Sequence, residues 1–100
     1  MKISVIDIAG RNAVSSKDGE TLYNEIMRNI DVDRIELDFE GVEIFSTPFF
    51  NLGIGRLLER LSTDELNKKL EFQHLSNLGF QTLRRVIDNA KKYYASTSHS

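Results

Sequence analysis

Apolar and polar positions change period several times along the chain, and each change marks an element. Lys2 to Ile8 is rich in Ile and Val and predicts a first strand. Gly10 and Asn12 follow as turn residues, after which Ala13-Val14-Ser15 is expected to pair back as a short hairpin strand. Leu22, Ile26 and Ile30 then recur every four positions, which makes one stripe of a helix from about Lys17 to Asn29. Ser15, Ser16 and Asp18 offer caps for its start. Asp31 to Asp33 break it, and from Arg34 the period becomes two. Ile35, Leu37 and Phe39 fall on one side and Glu36 and Asp38 on the other, the alternation of a strand buried on one face.

Thr47-Pro48 predicts a helix start. Pro48 suits the first helical position, where a missing N–H costs nothing, and Thr47 is then the N-cap. That helix is expected to reach Leu61. Leu70 to Leu75 reads as a short strand, with Leu70, Phe72 and His74 on one parity. Ser76 and Asn77 can cap a last helix to Tyr94, whose Phe80, Leu83, Val86, Ile87, Ala90 and Tyr94 share a side. The order predicts an α/β fold: a mixed or parallel sheet of about four strands, with three helices mainly on one face. Residues 1–94 make one domain, and Ala95 to Ser100 is expected to be a disordered tail.

Composition narrows the function. The chain has 100 residues, enough to bury roughly 65% of its extended surface around one core. With no cysteine, disulfides, thiolate metal sites and cysteine nucleophiles are excluded. No apolar run nears the ~20 residues of a membrane helix, and the start, Met1-Lys2-Ile3-Ser4-Val5, lacks the pattern of a secretion signal. A cytoplasmic location is the expectation. A net charge of −2 argues against sequence-independent nucleic-acid binding. Arg84, Arg85, Lys91 and Lys92 still share a broad face of the last helix, with Asp88 among them, and read as a solvated surface.

Candidate chemistry is sparse. His74 reads as a partly buried, satisfied side chain, and His99 lies far away in the tail, so no metal or cofactor is expected. Asp38, Ser46 and Thr47 are close in sequence, but no histidine or lysine is placed by motif to activate a hydroxyl. Gly10-Arg11-Asn12 is too thin for a phosphate loop. The middle helix carries the strongest independent signal. In helical projection Phe50, Ile54, Leu57, Leu58 and Leu61 form a core face, while Phe49, Leu52 and Arg56 fall on an outer flank with the composition of a partner contact. Gly53 and Gly55 inside this helix predict close backbone approach by a sheet or a partner.

The stretch Ile35-Glu36-Leu37-Asp38-Phe39-Glu40-Gly41-Val42, followed by Ser46-Thr47-Pro48-Phe49-Phe50-Asn51, resembles the STAS-like family of unknown function. That family is named for its likeness to sulphate-transporter and anti-sigma-factor-antagonist domains. The resemblance implies that Asp38 is the strand-end aspartate of the STAS pattern and that Thr47 falls where antagonists carry a phosphorylated serine. Ser46 takes the place of the preceding aspartate, and Phe49-Phe50 replaces a Gly-Leu pair.

The expected function is therefore a non-enzymatic, anti-sigma-factor-antagonist-like interaction module in bacterial signalling. Its expected partner is a histidine-kinase-like ATPase or an anti-sigma factor, with Thr47 or Ser46 as phosphoacceptor, and a homodimer is left open. Phe49, Leu52 and Arg56 are the expected contact residues, with Asp38 and Pro48 as supporting motif. The alternative is a small-ligand sensor holding an anion or nucleotide phosphate at the start of the middle helix.

Overall fold

The computed structural model describes residues 1–97, with side chains described through Tyr94. The chain runs β1 (Lys2–Ser4), α1 (Val5–Ala9), β2 (Asn12–Ala13), α2 (Ser16–Arg28), β3 (Ile35–Asp38), β4 (Ile44–Phe45) and α3 (Thr47–Gly53). A 3-10 turn (Gly55–Glu59), α4 (Thr63–Lys69), β5 (Leu70–Gln73) and α5 (Asn77–Thr97) complete it. The expected tail, Ala95 to Ser100, lies outside the described side chains, and residues 98–100 lie outside the description altogether.

The described strands are five rather than about four, and they form two parallel sheets. One has the order β1–β3–β5 and the other pairs β2 with β4. Five helices replace the expected three. The first difference arises near the N-terminus. Only Lys2, Ile3 and Ser4 find partners on β3, namely Glu36, Leu37 and Asp38. The next residues coil into α1, where Val5 is fully buried and Ile6, Ile8 and Ala9 pack against the core. Their Ile/Val content reads as a strand locally, but burial against the core decides the outcome. The expected hairpin is absent for the same reason: β2 pairs in parallel with β4, at Asn12↔Ile44 and Ala13↔Phe45.

The register of the three-stranded sheet sorts its two faces row by row. Ile3, Leu37 and Phe72 lie level, as do Ile35 and Leu70, and all face one side. Lys2, Glu36 and Glu71 form a row on the other side, followed by Ser4, Asp38 and Gln73. One face is therefore apolar and covered, and the other is polar. Phe39, next after β3, is fully buried and gathers Phe45, Phe50 and Phe72 at ring-centroid distances of 5.9, 6.1 and 6.3 Å. Such tilted aromatic pairs add to the burial term that holds the core.

The middle helix breaks where its glycines sit. α3 ends at Gly53, and the chain tightens into the 3-10 turn from Gly55 instead of continuing to Leu61. A Cβ on Gly53 would lie 3.1 Å from Leu22 Cδ2 and 3.3 Å from the Gly19 carbonyl oxygen, so α2 is the element that approaches. A Cβ on Gly55 would lie 3.0 Å from Val86 Cγ1 and 3.5 Å from Ala90 Cβ, so α5 approaches there. Neither a sheet nor a partner is needed to explain either residue. α4 fills the stretch between Leu61 and Leu70. Ser62 Oγ accepts from the Glu65 N–H at 3.1 Å and Glu65 Oε1 accepts from the Ser62 N–H at 3.0 Å, a reciprocal capping box.

Candidate functional site

The two-stranded sheet positions the start of α3. Pairing of β4 with β2 continues one residue further through the Ser46 N–H, which donates to the Ala13 carbonyl at 3.0 Å. The Ser46 hydroxyl then donates to the Val14 carbonyl at 2.8 Å and accepts from the Phe49 N–H at 3.2 Å. Ser46, not Thr47, is thus the N-cap; Thr47 and Pro48 are the first two helical residues. The shift by one residue follows from Ser46 being held in extended backbone (φ −127°, ψ 156°) by β2, which is the conformation an N-cap needs. Pro48 still costs no hydrogen bond, because the second helical N–H is also without an intrahelical partner.

The two hydroxyls of this corner differ sharply. Ser46 is half-buried with its oxygen engaged on both sides, whereas Thr47 and Pro48 are exposed. The expected ridge is also rearranged. Phe49 is fully buried and does not join Leu52 and Arg56. Its backbone meets α2 so closely that a Cβ on Gly19 would stand 2.5 Å from the Phe49 carbonyl oxygen. Leu52 and Arg56 are half-buried. The Arg56 guanidinium lies 4.3 Å from the Tyr23 ring centroid and 4.0 Å from the Glu59 carboxylate, which holds it along the flank. Beside them a cleft of about 430 Å³ opens between Asn51, Leu52 and Arg56 on one wall and Asn89, Tyr93 and Tyr94 of α5 on the other.

A second polar corner sits at the carboxyl end of the three-stranded sheet. Asp38, the last residue of β3, is 5% exposed and is the buried charged residue of the described core. Its Oδ1 accepts from the Glu40 N–H at 3.0 Å and lies 2.8 Å from His74 Nδ1, and its Oδ2 lies 3.1 Å from Lys2 Nζ. The Glu40 N–H, then His74, then Lys2 favour the carboxylate and lower its pKa from 3.8 to about 2 against the opposing effect of burial. Asp38 in turn raises Lys2.

His74 departs from the expected parity. β5 ends at Gln73, and His74 adopts φ +57°, the left-handed region that residues with a Cβ seldom visit. Instead of facing inward with Leu70 and Phe72, its side chain is 58% exposed and meets Asp38 on the polar face. Thirty-six positions separate the two residues in the chain. Nothing local in the sequence announces the pair; the only available signal is that both residues close adjacent strands. Glu40 is exposed nearby, and its ligand-forming oxygen stands within 4.8 Å of those of Asp38 and His74. Arg84, Arg85, Asp88, Lys91 and Lys92 are exposed along α5.

A parallel sheet with a strand-end aspartate, a capped corner and a short helix beside it places the chain in the α/β class. Residues 18–79 match the family described as the STAS-like domain of unknown function, and the chain belongs to that family. The match spans α2 through the beginning of α5 and contains Asp38, Ser46, Thr47 and His74. No curated protein and no solved structure matches the chain. Among the described residues, no helix is long and apolar enough to cross a membrane.

Proposed function

We propose that the domain is a non-enzymatic protein-interaction module of cytoplasmic, bacterial-type signalling, of the antagonist kind, and that Thr47 is its phosphoacceptor. The partner would be a histidine-kinase-like ATPase acting as a serine/threonine kinase or anti-sigma factor. The observation that carries this reading is the division of labour at the corner. Ser46 is committed to the fold through two hydrogen bonds, which leaves the exposed Thr47 hydroxyl as the group a kinase can reach. A phosphate on Thr47 adds close to two negative charges beside Pro48 and Asn51, on the surface that continues to Leu52 and Arg56.

The alternative, an anion held at the start of α3, has few donors to work with. Pro48 has no N–H, the Phe49 N–H is taken by Ser46 Oγ, and the Phe50 N–H is taken by the Ser46 carbonyl. Capture of the partner with the purified domain, followed by mass spectrometry of the modified residue, tests the proposal. Thr47→Glu is expected to weaken the complex by at least about tenfold and Thr47→Ala to preserve it. Equal binding by both variants, or modification confined to Ser46, rules out the Thr47 switch.

A further inference from the structure

We propose that Asp38, Glu40 and His74 form a binding site for one divalent first-row transition ion, of the zinc type, at the carboxyl end of the β1–β3–β5 sheet. The site is separate from the Ser46–Thr47 corner and does not depend on the interaction reading. Each of the three residues offers one ligand atom, and these atoms lie within 4.8 Å of one another. His74 Nδ1 and Asp38 Oδ1 are hydrogen-bonded at 2.8 Å, and need part by only about 0.6 Å to reach the ~3.4 Å between two ligands each ~2.1 Å from a tetrahedral ion. Glu40 has to close by at most about 1.4 Å to the same spacing, and as an exposed residue it is free to do so.

The buried member is fixed in advance. Lys2 Nζ holds Asp38 Oδ2, and the Glu40 N–H holds Oδ1 in place, so the carboxylate does not have to be ordered by the ion. The left-handed backbone of His74 turns the imidazole out of the core parity and onto this carboxylate. Coordination through Nδ1 moves the ring proton to Nε2, so a neutral imidazole binds without any net loss of a proton. Two carboxylates against one lysine leave the corner net negative, which favours a cation. One nitrogen and two oxygen donors suit zinc and its neighbours better than magnesium, which prefers oxygen alone. The exposure of His74 and Glu40 leaves further coordination positions open to water or to a side chain from a partner.

Zinc chloride titrated calorimetrically into the tag-free full-length chain at neutral pH tests this. Expected is one saturable equivalent with micromolar affinity, and no comparable response to magnesium. His74→Asn retains a residue that tolerates left-handed backbone, and is expected to weaken zinc binding by about tenfold or more. Glu40→Gln, on an exposed residue, is expected to weaken it by a smaller factor with the fold intact by circular dichroism. His99→Ala is expected to change nothing. The proposal is overturned by an absence of saturable binding, by full retention in His74→Asn or Glu40→Gln, or by a loss that follows His99 instead of His74.

Discussion

Two corners of this domain follow a strand and turn a polar side chain onto the backbone, yet they are built in opposite ways. At Ser46 the partners come from the neighbouring turn of helix and from the paired strand: the Phe49 N–H, the Val14 carbonyl and the Ala13 carbonyl. At Asp38 two partners are charged or chargeable side chains from the ends of the flanking strands, Lys2 and His74. The first corner satisfies backbone groups and is neutral. The second concentrates charge on a buried carboxylate. A neutral cap gives stability that barely depends on pH, whereas a charged cluster ties stability to protonation.

The largest expected effect comes from the support beneath the Ser46 corner. Gly19→Ala places a Cβ 2.5 Å from the Phe49 carbonyl oxygen, a backbone atom that cannot step aside. Overpacking of this kind should cost about 2 kcal/mol or more, read as a lower urea midpoint. Ser46→Ala removes the cap and leaves the Val14 carbonyl without its donor, for about 1–2 kcal/mol in the same measurement.

The Asp38 corner should respond to acid instead. Its folded pKa of about 2 lies below the ordinary 3.8, so the unfolded chain takes up a proton first as pH falls. The stability from Asp38 is complete above about pH 4 and is lost progressively towards pH 2. Asp38→Asn should flatten that part of the stability–pH curve, while Ser46→Ala should leave its shape alone. The smallest change is expected at Thr47. Its side chain is exposed, so Thr47→Ala should shift stability by less than ~0.5 kcal/mol. A large loss there would mean that Thr47 shares the capping role assigned to Ser46.

What the sequence reveals about the two corners follows from the range of their interactions. The helix start at Ser46-Thr47-Pro48 is a local pattern and was legible to within one residue. The strand Ile35–Asp38 and the helix Ser16–Arg28 are legible for the same reason, since alternation and a four-residue stripe are visible without knowing the fold. α1 was hidden because Val5-Ile6-Asp7-Ile8-Ala9 has strand composition but lacks a strand to pair with. α4 left a readable signal, Ser62 and Glu65 three apart before Leu66, although the segment is only seven residues long. Phe49 belongs to the core and not to the outer flank because the chain changes helical type at Gly53 and Gly55, which the projection of one straight helix does not capture. His74 departs from the parity of Leu70 and Phe72 because one left-handed residue breaks a strand's alternation. The Asp38–His74 pair therefore emerges only when the strand order is known.

The seating of α3 has a mechanical consequence. On one side Gly53 and Gly19 bring it against α2, and just beyond its end Gly55 brings the chain against α5. A segment wedged at both places by missing side chains has no slack for sliding or rotating. A charge added to its exposed first turn would then alter the surface potential there without shifting the helix beneath it. Under the interaction reading proposed above, free and partner-bound forms of this domain should therefore superimpose.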